Sequence, residues 1–183
     1  MNKSTNKFSI GGKFYYKHYR DGKLIAEEDL GDNLFVDEGL VYVMNSSLAV
    51  SVNGGGAPNP LSNLYIGITK ANRAWNAGDE AATIAGIADE FQLYNEASRP
   101  AWIPQNLATA GTVELSNETA EAVFTINTAT TIYGAMIISA SPKDASQDGS
   151  ATLICGRQFD SPRPLQTGDV FKVGYVLGVT SNP

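Results

Sequence analysis

One cysteine, one histidine and a charged fraction of only 17% leave this 183-residue chain short of the usual tools of catalysis. A lone Cys155 excludes an internal disulfide, and its apolar setting in "ATLICG" reads as a small buried hydrophobe rather than a nucleophile. His18 lies inside an aromatic strand far from Cys155, so thiolate–imidazole chemistry has no support. A Ser–His–Asp set lacks a nucleophile-elbow sequence. The chain contains neither a phosphate-cradling GxxxxGK nor a GxGxxG between strand and helix, and "NGGGAPN" reads as a flexible loop. Clustered His and Cys for zinc are missing too. Asp144 and Asp148 in "SPKDASQDGS" are hard-oxygen donors, but their spacing fits no EF-hand and reads as a turn. No metal and no cofactor is expected.

Cationic clusters are equally scarce. The net charge of −6 argues against nucleic-acid or anionic-membrane partners, both of which need a basic face. No apolar stretch reaches the length of a membrane span, and the polar start "MNKSTNKFSIGGK" lacks an apolar signal region. A soluble protein without an export signal is expected, so the sequons at Asn45 and Asn117 carry little meaning.

What is present is β pattern. "FYYKHYRDGKLIAEEDL" (14–30) predicts a hairpin turning at Asp21–Gly22. Helical spacing of Leu40, Val43, Met44 and Leu48 predicts a short helix near 37–49, with Asp37 at its start. Residues 51–63 are too rich in Gly, Pro, Asn and Ser for regular structure. "LYIGITK" reads as a strand and "DEAATIAGIADEF" as a second short helical turn. From residue 111 onward, "GTVELSN", "AEAVFTIN", "TIYGAMIISA", "ATLICGRQF" and "DVFKVGYVLGV" are strand-length runs separated by turns. The expected fold is mainly β: an antiparallel β-sandwich or jelly-roll-like domain over 33–183, preceded by a polar arm and β-hairpin over 1–32. No internal repeat is visible.

Within "EFQLYNEASRPAW" (90–102), alternation places Phe91, Leu93 and Asn95 on one strand face and Glu90, Gln92, Tyr94 and Glu96 on the other. Pro100 ends the pairing. Arg99 is held extended before it, able to reach Glu96 or Glu90, and Trp102 covers the end of the core. Glu96, Arg99 and Trp102 therefore read as a strand-end clasp. Two other readings of the region are a glycosidase pair in Glu90 and Glu96, and a glycan site using Trp75 and Trp102.

Five stretches in order, "NLFVDEGLVYVMNSSL", "LYIGIT", "EFQLYNEASRPAW", "AVFTINTATTIYGAMIIS" and "GRQFDSPRPLQTGDVFKVGYVLGVTS", span most of the chain after residue 32. Their order and spacing resemble a family of small virion structural proteins of tailed bacteriophages. The amino-terminal hairpin lies outside the pattern. The resemblance implies a non-enzymatic particle component and carries over no catalytic residue. It implies a head decoration or cement protein, with the major capsid protein or other virion proteins as partners and a homo-oligomer as the working form; the symmetry of capsid sites makes a trimer the hypothesis for that oligomer. A tail-, baseplate- or fibre-associated protein binding a host-surface glycan is the alternative. Phe14, Tyr15, Tyr16, Tyr19 and Leu24 are the candidate partner contacts, because an isolated two-stranded ribbon cannot bury both of its faces. Folding of the hairpin onto its own sandwich is the competing expectation, and the loop at Gly54–Gly56 is a further candidate contact.

Overall fold

The computed structural model describes residues 7–47, 64–84, 89–109, 112–143 and 151–182. In chain order the elements are β1 (Lys7–Arg20), β2 (Lys23–Asp32), β3 (Leu34–Phe35), α1 (Asp37–Ser47), β4 (Tyr65–Thr69), α2 (Ala81–Ile84) and β5 (Gln105–Thr109). They continue with β6 (Thr112–Ser116), a 3-10 turn (Glu118–Ala120), β7 (Ala122–Thr125), β8 (Thr130–Ile138), β9 (Leu153–Leu165) and β10 (Val170–Asn182). One sheet runs β2-β1-β10-β6-β5, with β7 joined to the lower half of β10; the other runs β3-β9-β8-β4. Every pairing between these strands is antiparallel, and the two sheets face each other as a β-sandwich. Among the described residues no helix is long and apolar enough to cross a membrane.

The hairpin turns where expected. Asp21 (φ 51°) and Gly22 (φ 73°) both take left-handed backbone, the conformation that a two-residue hairpin turn demands. It is not an arm ahead of residue 33, because β1 pairs with β10 from Lys7↔Asn182 to Tyr19↔Val170 and is continuous with the first sheet. Alternation along β1 sends Phe14, Tyr16 and His18 into the core, where Tyr16 lies 5.2 Å from Phe159 and 5.1 Å from Phe171, centroid to centroid. Facing β10 supplies Phe171, Val173, Tyr175 and Leu177 by the same period. The ribbon's apolar face is thus buried by its own sandwich, which removes Phe14 and Tyr16 as partner contacts.

α1 covers the start of β9. Gly39 sits so close to the Ile154 carbonyl that a side chain there would collide with backbone, and Glu38 fastens the helix by accepting from the Ala81 and Leu153 amides at 3.0 and 2.8 Å. Of the second expected helical stretch, 79–91, the single turn α2 is helical, 85–88 lie outside the described residues, and Asp89–Phe91 instead pair along β4. The 51–63 loop with Gly54–Gly56, and the 144–150 turn with Asp144 and Asp148, also lie outside the described residues.

The stretch 90–102 is not the alternating strand that its sequence suggested. Glu90 and the adjacent Phe91 are both buried, and Leu93 is 53% exposed. Only its ends pair with β4, at Thr69↔Glu90 and Tyr65↔Ala101. The residues between are too many to stay in register and leave the edge as a loop.

Candidate functional site

Two buried polar clusters contain the side chains that chemistry would use. The first closes the 90–102 loop. Arg99 Nε and Nη2 donate to Glu90 Oε1 and Oε2 at 2.8 and 2.7 Å, with both side chains fully buried, and Nη1 donates to the Ala140 carbonyl at 2.9 Å. This fork-to-fork geometry fixes both partners. Beyond that neck the loop crosses to the other sheet. Tyr94 bridges Ile126, the Asn95 amide donates to the Thr125 carbonyl, and Glu96 accepts from the Thr125 amide and hydroxyl. Lys143 Nζ then donates to the Tyr94 and Glu96 carbonyls at 2.9 and 2.6 Å and lies 4.1 Å above the Tyr94 ring. The loop staples the outer edge of β4 to the end of β7, which makes it framework.

The expected clasp is thereby resolved into two. Arg99 selects Glu90, while Glu96 serves Thr125 instead. Trp102 is buried as expected, its indole N–H donating to the Tyr175 carbonyl at 3.1 Å. Glu90 and Glu96 do not flank a common opening: one is sealed against Arg99, the other holds β7. Nor does the proposed glycan pair present two free rings, since Trp102 is buried and Trp75 lies across Gly156.

The second cluster surrounds His18. Its Nε2 sits 2.7 Å from Asp169 Oδ2, and Arg163 Nε donates to Nδ1 at 3.3 Å. Because an arginine can only donate, Nδ1 must be unprotonated and the ring neutral, with its proton on Nε2 facing Asp169. Asp169 also accepts from Arg20 Nε and Nη2, both at 2.8 Å, and from the Gln166 amide at 2.7 Å. Those donors, Arg20 foremost, hold the Asp169 carboxyl far below its ordinary range. Burial pushes His18 below the ordinary histidine value, against the pull of Asp169. The carboxylate–imidazole pair resembles part of a catalytic triad, yet the group at Nδ1 is a guanidinium from the other sheet rather than a nucleophile. The arrangement ties β1, the turn before β10, and β9 together.

Cys155 completes the inventory. Buried throughout, with its thiol 3.4 Å from the Tyr175 hydroxyl, it is pushed up to about 12 and remains protonated near neutral pH. Among the described residues no three His, Cys, Asp or Glu side chains gather as a metal site would require.

Of the five candidate contacts, Phe14 and Tyr16 are core. Tyr15 and Tyr19 lie half-buried on the outer face of the first sheet, Tyr15 across Gly174 and Tyr19 beneath Lys172, and Leu24 is 46% exposed opposite Tyr19. Sequence reasoning missed Asp169 as the partner of His18. The inward alternation of β1 was the available signal, since an inward histidine needs a polar partner. Compared with protein-family models, curated proteins and solved structures, the chain has no match.

Proposed function

We propose that the chain is a non-enzymatic structural protein of a tailed-bacteriophage particle, a head decoration or cement protein that bridges capsid subunits. The observation that carries this reading is how its polar groups are used. Glu90, Arg99, His18 and Asp169 each hold one part of the sandwich to another, while large apolar side chains remain outside at the hairpin tip (Leu24, Ile25) and on α1. A protein whose buried charges serve rigidity and whose surface keeps apolar groups is suited to bridging neighbours. Repetition on a symmetric shell multiplies such contacts into a firm clamp. The major capsid protein is the partner in this reading, and the capsid surface the location.

The test is to mix purified protein with expanded capsids lacking it, pellet the particles and count bound copies. Saturation at a symmetry-related number supports the reading. Absence of binding contradicts a head role and favours the tail.

A further inference from the structure

A surface helix of a soluble domain normally turns a polar face to water. On α1 that face is largely apolar: beside the exposed Asp37 and Asn45, Leu40, Val41 and Met44, spaced to share a stripe, are 37%, 59% and 47% exposed. Beside them lies a groove of about 460 Å³ between α1 and the Ala77–Glu80 turn, with Val41 and Tyr42 in its wall. Its charged lining is entirely acidic: Asp37, Glu38, Asp79 and Glu80. Two of these are already satisfied, Asp79 by Arg73 at 2.6 Å and Glu38 by the Ala81 and Leu153 amides. Asp37 and Glu80 are exposed at the mouth and have no side-chain partner among the described residues.

We propose that this groove and the α1 stripe together form a docking surface for a basic amphipathic segment of a partner protein. Its apolar side chains cover Leu40, Val41 and Met44, and its Lys or Arg side chains reach Asp37 and Glu80. Charge complementarity selects that occupant. A second copy would bring the same uncompensated carboxylates face to face, on a chain whose net charge is −6. Helix-in-groove recognition works in this way, with apolar anchors supplying affinity and rim charges setting orientation. The inference deepens the assembly reading by specifying the partner's chemistry, but its test requires no particle, so either can fail while the other stands.

A labelled amphipathic Leu/Lys peptide is titrated against the whole protein by fluorescence anisotropy, with a Leu/Glu peptide of the same pattern as control. Saturable binding of the first alone is expected. Val41→Asp with Met44→Asp weakens it by about tenfold or more, and Asp37→Lys with Glu80→Lys weakens it comparably. All four positions are exposed, so unchanged circular dichroism and unfolding midpoints establish that the variants fold. The proposal is overturned if neither peptide saturates, if both bind alike, or if the substitutions leave binding unaltered. Sedimentation showing self-association abolished by Val41→Asp would overturn it in favour of a second copy.

Discussion

Glu90 and Arg99, nine residues apart, form a doubly hydrogen-bonded ion pair with no solvent contact at the neck of a loop that joins the two sheets. A buried pair is worth little against a well-packed apolar substitute, but removing one partner strands the other's charge in the interior. Arg99→Met should therefore lower unfolding free energy by about 3–5 kcal/mol. Glu90→Leu combined with Arg99→Met should cost less than either single change. Urea unfolding of the three variants measures both quantities, and a double variant no better than the singles would show that the loop needs the pair for geometry.

His18 makes stability depend on pH. Its folded value is lowered, so the unfolded chain takes up a proton at higher pH than the native protein does. The resulting stability is complete above the ordinary histidine value near pH 6.5 and is lost as pH falls below it, by up to about 1.4 kcal/mol per unit. Protonation would place an N–H on Nδ1 against Arg163, with Arg20 also nearby. Unfolding midpoints between pH 8 and 5 should fall for the natural protein and flatten for His18→Gln. Asp169, lowered in the same cluster, adds a separate loss only at pH values below the ordinary carboxylate range, near 4.

Helix propensity and packing oppose each other at Gly39. Alanine gains up to about 1 kcal/mol in a helix interior, but a Cβ here would strike the Ile154 carbonyl, which is backbone and cannot swing aside. Overpacking of this kind costs about 1–3 kcal/mol, so Gly39→Ala should lower the melting temperature. Asn45→Ala, at an exposed position of the same helix, should leave it unchanged or raise it.

Cys155 should resist alkylation in the native state. Its thiol is fully buried and protonated, so reagent gains access only through opening. Labelling should be slower than in denaturant by at least about a thousandfold, in keeping with a stability of several kcal/mol. Rapid labelling without denaturant would show that the sandwich opens locally at β9.

Elements whose signal is local were legible. Asp21–Gly22 announces its turn because few residues tolerate left-handed backbone, and the carboxy-terminal strands announce themselves by dense β-branched and aromatic residues. β9 runs further than its sequence suggested, through Pro162 and Pro164. Prolines end strands only where their missing N–H is needed, and beyond Gly156 the side of β9 away from β8 has no strand partner among the described residues. The 90–102 loop was misjudged because alternation is measured along one strand, whereas its buried residues answer to two sheets. That Arg99 chooses Glu90 over Glu96 depends on which carboxylate the fold brings to the neck, and His18 finds its partner 151 residues away.

Cementing a capsid, the role proposed above, goes beyond binding to one. Its most direct test is the temperature at which heads saturated with the protein release their DNA, compared with heads lacking it. A clear rise that disappears when the bound protein is removed is the predicted result. Heads that carry a full complement yet open at the same temperature as bare ones would contradict the account.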